Sequence, residues 1–100
     1  MDITVQELKQ KLDNSENFVF IDVREAYEHH EFNIGGDLIS LGHVMDAIES
    51  LEEHKNDEIV VYCRSGQRSG MAQSLLEAAG FSNVRNLTGG ILAWQEVYGS

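Results

Sequence analysis

Apolar residues recur along the chain at two spacings, and the segments carrying them alternate. Near the N-terminus Val5, Leu8 and Leu12 share one helical face. Thr4 and Glu7 have the spacing of a capping box, and Ile3 and Leu8 that of a hydrophobic staple. The next apolar run, NFVFID at 17–22, is short, aromatic and β-branched, which predicts a strand buried on both faces and ending at Asp22. REAYEHHEF then has the composition of a short helix, and GDLIS that of a short strand set among Gly35, Gly36 and Gly42. Val44, Ala47, Ile48 and Leu51 fall at i, i+3, i+4 and i+7, the stripe of an amphipathic helix.

The strongest strand signal is EIVVYC at 58–63. Behind it, SGMAQSLLEAAG places Met71, Ala72, Leu75, Leu76 and Ala79 on one helical face, with Gly80 as the stop and Leu76 and Phe81 positioned for a Schellman ending. A last strand near NVRNL and a helix from Gly90 through Val97 complete the series, with Trp94 read as core. Strands alternating with helices imply parallel pairing through right-handed crossovers, an α/β sheet covered on both faces. Ligands in such sheets sit beyond the carboxyl ends of the strands, so Asp22 and Cys63 are expected to open onto one edge.

Composition narrows this picture. With 100 residues, 42% of them hydrophobic, one core is expected, and residues 1–100 read as one domain. No apolar run approaches the roughly 18 residues of a membrane span, and the N-terminus lacks a signal-peptide pattern, so a cytoplasmic location without membrane contact is expected. The net charge of −10 argues against nucleic acid as a partner. Between Glu25 and Glu58 ten acidic residues face only Lys55 as a base, which reads as a solvated face or, alternatively, a docking surface. His29, His30, His43 and His54 lack metal-ligand spacing and read as surface residues, so no metal and no cofactor are expected.

Against that negative background, Arg64 and Arg68 stand beside the single cysteine, Cys63. The turn CRSGQR contains no apolar residue, so it does not extend the core. With Gly66 free to take positive φ, its N–H groups can curl around the sulfur as an anion-binding nest, and a helix starting near Arg68 or Ser69 adds its positive end. A free thiol with a pKa of about 8.5 is only about 3% thiolate at pH 7, and the thiolate is the nucleophile. Packing as a buried apolar side chain is the competing reading of a lone cysteine. The polar, arginine-flanked turn favours a reactive thiol of depressed pKa.

FIDVREAYEHHEF, VVYCRSGQRS and LTGGILAW, in this order along nearly the whole chain, resemble the signature segments of the rhodanese-like, single-domain sulfurtransferase family. The resemblance implies a central parallel five-stranded sheet with helices on both faces. It also implies that Cys63 takes a sulfane sulfur from thiosulfate or a similar small anionic donor as a persulfide and passes it to a thiol or protein acceptor. The backbone of Arg64, Ser65, Gly66, Gln67, Arg68 and Ser69 would cradle that persulfide, with Arg68 ordering the loop and Arg64 meeting the substrate anion. Asp22 and Arg24 would border the site, Arg24 as an ion-pair partner of an acid such as Glu28. Gly89 and Gly90 would allow close backbone approach. Where the family commonly carries isoleucine-proline-glycine-alanine and another proline after two apolar residues, this chain reads IGGDLIS, with Gly35, Asp37 and Ser40 at the altered positions. Two other functions use the same residues. A persulfide carrier serving a protein partner would share the chemistry, whereas a cysteine phosphatase of related fold has a Cys-x5-Arg loop. Cys63 and Arg68 form the shorter Cys-x4-Arg.

Overall fold

A computed structural model describes residues Met1–Ser100. Helix α1 spans Val5–Asp13, strand β1 Val19–Asp22, helix α2 Ala26–Glu31 and strand β2 Asp37–Leu38. Helix α3, Val44–Ala47, lies between 3-10 turns at Leu41–His43 and Glu52–His54. Strand β3, Ile59–Tyr62, helix α4, Gln67–Ala78, strand β4, Val84–Asn86, and helix α5, Gly90–Tyr98, complete the chain. The sheet is wholly parallel, in the order β2-β1-β3-β4.

Alternation along the central strand splits the core in two. Ile59, Val61 and Cys63 point into one cluster with Val44, Ala72, Leu76 and Phe81, which come from α3, α4 and the turn after α4. Val60 and Tyr62 point into the other, with Val5 and Leu8 of α1 and Ile91 and Trp94 of α5. All four residues of β3 are buried, as a strand covered on both faces must be. No helix is long and apolar enough to cross a membrane.

Several expectations are corrected. The sheet has four strands, not five. The fifth position shrinks to a single bridge between Ile3 and Leu87, with Ile3 N–H donating to Asn86 O and Thr88 N–H to Ile3 O. The cause is local: Thr4 already caps α1, its Oγ accepting the Glu7 N–H at 3.1 Å, so the chain turns into helix after one paired residue. The reciprocal half of that capping box is missing because the Glu7 carboxylate binds Arg85 instead. The 44–51 stripe does face the core through Val44, Ile48 and Leu51, yet only Val44–Ala47 is α-helix. There Ile48 N–H reaches back only to Met45, Leu51 N–H is shared between Ala47 O and Ile48 O, and Glu52 N–H reaches Glu49 O, so the chain tightens towards i−3 hydrogen bonds. Met71 lies on the exposed side of α4, 59% accessible, and is not part of its buried face.

The Schellman ending of α4 forms as expected, with Phe81 N–H donating to Leu76 O and Gly80 N–H to Glu77 O. The segments on either side of β2 are pinned from within. The buried Tyr62 hydroxyl donates to Gly35 O at 2.8 Å and accepts the Ile34 N–H at 3.4 Å, while Ser40 Oγ donates to Arg24 O at 2.7 Å. Burial, first of several causes, pushes the Tyr62 pKa upward, so the phenol stays protonated and available as a donor.

Replacing Tyr62 with Phe keeps the ring packing and leaves the Gly35 carbonyl without its donor. We expect Y62F to lower unfolding free energy by about 1–2 kcal/mol, read as a reduced urea midpoint at unchanged slope.

Candidate active site

Strand β3 delivers Cys63 to the carboxyl edge of the sheet, where the residue is 1% exposed. Gly66 follows at φ 105°, a left-handed conformation that caps α4 and starts the helix at Gln67, one to two residues earlier than the sequence suggests. This turn aims donors at the sulfur. Gly66 N–H lies 3.1 Å from Cys63 Sγ, Ser69 N–H 3.4 Å and Ser69 Oγ 3.3 Å. Burial of the sulfur pushes its pKa up, but hydrogen bonds from the Ser69 hydroxyl and the Ser69, Gly66 and Ser65 N–H groups outweigh it and hold the thiol below its ordinary range. Strand β3 and the N-terminal turn of α4 thus build an anion cradle around one atom.

The outer side of the loop is fixed by helix α5. Ile91 N–H donates to Cys63 O at 2.9 Å and Leu92 N–H to Arg64 O at 3.0 Å. A Cβ on Gly90, whose φ is 58°, would sit 2.6 Å from Arg64 O and nearer still to Cys63 O, so no side chain fits there. On the neighbouring Gly89 a Cβ would come within 2.6 Å of Ala93 Cβ.

The two loop arginines are placed differently, and the expected partner of Arg24 is corrected. Arg68 makes a two-point contact with Glu28 of α2, at 2.6 and 2.9 Å, tying the loop to that helix. Arg64 is exposed and lines an open depression with Arg24, Glu28, Phe32, Ile91 and Gln95. Ser65 and Gln67 are exposed on the loop's rim, whereas Ser69 is fully buried. Arg24 pairs with Asp22 at 2.8 Å and donates to Phe32 O at 2.7 Å; it is not the partner of Glu28. Asp22, also fully buried, accepts from Arg24 and sits 2.8 Å from His29 Nδ1, so His29 belongs to this network and is not a free surface histidine. Asp22 pairs in register with Tyr62, and the strand pleat therefore turns its carboxylate to the face opposite the Cys63 thiol. Edge and face are different things. Asp22 braces the edge without touching the sulfur. Burial opposes its ionisation, yet the Arg24 guanidinium holds its pKa below the usual carboxylate range.

One contributor, Asn86, went unforeseen. It ends β4, accepts from Ser69 Oγ at 2.6 Å through Oδ1, and donates through Nδ2 to Gly66 O at 3.0 Å. The strand-end rule that singled out Asp22 and Cys63 applies equally to this polar residue at the end of its strand. A second hollow, lined by Phe18, Phe20, Asp37, His54, Asp57 and Glu58, opens at the other end of β1 and β3 and takes no residue from the loop.

The family model of the rhodanese-like domain matches residues 4–97. The chain is 38% identical over 94 residues to a putative sulfur carrier protein, YrkF, of Bacillus subtilis, covering 93% of this chain and 50% of that one. It thus spans about half the length of that relative. A sulfurtransferase of Allochromatium vinosum is 36% identical over 93 residues, covering 93% of this chain and 86% of the relative. A rhodanese-like domain protein from Staphylococcus aureus superposes with a TM-score of 0.82 at 33% identity, covering 94% of this chain and 91% of that structure.

The Arg68 contact, with burial opposing and the Glu25 N–H assisting, holds the Glu28 pKa at about 2, down from its ordinary 4.5. A carboxylate depressed in the folded state stabilises it fully above the unfolded value and loses that contribution as pH falls through the folded one. In urea titrations across pH, wild type is therefore expected to exceed E28Q by a constant margin above pH 4.5, a margin that shrinks towards zero as pH approaches 2.

Proposed function

The chain belongs to the rhodanese-like domain family, and from that membership and the cradle around Cys63 we propose a sulfurtransferase working through a persulfide on this cysteine. The observation that carries the reading is the convergence of Gly66 N–H, Ser69 N–H and Ser69 Oγ on one sulfur at a strand end. The Cys63 thiolate attacks the outer sulfur of thiosulfate. A new S–S bond forms, the old one breaks, and its electron pair leaves with sulfite. The persulfide's terminal sulfur then carries the negative charge, and the inward amides of Ser65, Gly66 and Ser69 supply the positive potential it needs. A thiolate acceptor attacks that terminal sulfur and regenerates the Cys63 thiolate, so two displacements share one covalent intermediate and the kinetics are ping-pong.

In this reading Arg64, without a salt-bridge partner at the loop's mouth, meets the anionic donor, and Arg68, engaged by Glu28, shapes the loop. Gly89 and Gly90 keep α5 close against it, and Asp22 and Arg24 brace the edge from the other face. The engagement of Arg68 counts against phosphatase chemistry, which needs that guanidinium on a phosphate. A cradle sized to one atom suits sulfur better. Similarity to a sulfur carrier favours a second form of the same chemistry, in which donor or acceptor is a protein and thiosulfate only substitutes for it.

Intact mass spectrometry after thiosulfate treatment is expected to show a gain of about 32 Da, one sulfur held covalently, that disappears on reduction and is absent in C63A. A wild-type chain that gains no such mass from any sulfane donor sinks the proposal. Faster loading from a cysteine desulfurase than from thiosulfate would favour the protein-partnered form. R64A is expected to raise KM for thiosulfate roughly tenfold with kcat little changed, the mark of a lost ground-state contact.

A further inference from the structure

The Ser69 hydroxyl is asked to serve two acceptors with one hydrogen. Its Oγ lies 2.6 Å from Asn86 Oδ1 and 3.3 Å from Cys63 Sγ. The orientation of the Asn86 amide is fixed by its other end. Nδ2 donates to Gly66 O at 3.0 Å, and a flipped amide would set two carbonyl oxygens against each other. Oδ1 therefore faces Ser69 as a pure acceptor, and the shorter contact takes the hydroxyl hydrogen. Ser69 Oγ is then left facing the sulfur with a lone pair, which suits a thiol that donates its S–H and not a thiolate that needs a donor. Ser69 is fully buried, so no water substitutes at this point.

Resting on the reading of Cys63 as the nucleophile, we propose that Ser69 and Asn86 form a hydrogen-bond switch that follows the charge on the sulfur. While Sγ is a neutral thiol, the hydroxyl hydrogen lies on Asn86 Oδ1 and Oγ accepts the S–H. When Sγ ionises, its proton leaves to solvent, the hydroxyl turns, and its hydrogen points at the thiolate. Once the persulfide forms, charge moves to the terminal sulfur, Sγ is again neutral, and the hydroxyl returns to Asn86. The Ser69 hydrogen stays on its oxygen throughout. Asn86 is thus a positioning residue: it competes with the thiolate for the one mobile donor in the cradle, while the Gly66 and Ser69 N–H groups stay fixed. The charged groups around the cradle are Arg64 and Arg68 of the loop, Glu28 of α2 on Arg68, Asp2 accepting the Asn86 N–H, and the Asp22–Arg24 pair on the opposite face. None of them is altered in the variants below.

The pH dependence of Cys63 alkylation by iodoacetamide reads thiolate formation with no sulfur donor present. S69A removes the mobile donor, so the Cys63 titration is expected to move to higher pH, with alkylation below it on the order of tenfold slower. N86L removes the competitor, so the titration is expected to move to lower pH. In S69A/N86L the second change is expected to have no effect beyond S69A alone. A purely structural role for Asn86, through its bond to Gly66, predicts the opposite: N86L loosens the loop, raises the titration as S69A does, and shifts it equally in the S69A background. Either of these results overturns the switch. Should N86L fail to fold, the wild-type Asn86 side-chain amide resonances are expected to titrate with Cys63, and that titration to be lost in S69A. Its persistence in S69A would equally refute the switch. Expected shifts without any persulfide would sink the sulfurtransferase reading and leave the switch standing, whereas persulfide formation without the shifts would do the reverse.

Discussion

Two backbone hydrogen bonds from helix α5, Ile91 N–H to Cys63 O and Leu92 N–H to Arg64 O, hold the cysteine loop in its working orientation. A peptide unit carries its carbonyl and amide on opposite sides, so carbonyls engaged outward help to leave amides turned inward. Through the Arg64 carbonyl this arrangement turns the Ser65 N–H inward, one of the donors that hold the Cys63 thiol below its ordinary range. It demands backbone contact at Gly90, where a Cβ would collide with the Cys63 and Arg64 carbonyls. The requirement propagates further: α5 can approach only because Ile91 and Trp94 bury against Val60 and Tyr62 of the strand that ends in the cysteine.

The same edge separates structural from reactive charge by the two faces of the sheet. Asp22, Arg24 and His29 form a closed network on the Tyr62 face, with the Arg24 guanidinium 5.5 Å from the Tyr62 ring centre. The two buried charges, Asp22 and Arg24, are each other's partners, as a low-dielectric setting requires. On the cysteine's side Arg68 is neutralised by Glu28, and Arg64 is left exposed at the mouth. In a chain of net charge −10, one unengaged guanidinium beside a ring of inward amides makes a local attraction for anions that the molecule elsewhere repels.

Much of this was legible from residue types and spacing. Apolar runs and periodicity located β1, β3, α1 and α4, composition and the alternation of elements supplied β2, β4 and α5, Gly80 marked a Schellman ending, and the polar, glycine-containing turn after a buried strand pointed to an amide cradle at Cys63. Errors arose where two local signals competed. Thr4 both follows a pairing residue and caps a helix, and capping wins, so the fifth strand becomes one bridge. After Ala47 the backbone bonds tighten to i−3, which shortens a helix whose apolar stripe is sound.

Sequence alone determined which residues reach the carboxyl edge of the sheet, because strand length and the order of elements follow from local hydrophobic period and from turn chemistry. It could not determine which of those residues meet. Arg24 lies four residues from Glu28, yet it pairs with Asp22, while Glu28 reaches across 40 positions to Arg68. Asn86, 17 positions beyond Ser69, closes the cradle. Partners so distant along the chain are chosen by strand order and by the face to which each pleat turns a side chain. Those are properties of parallel pairing between strands, and no single segment encodes them.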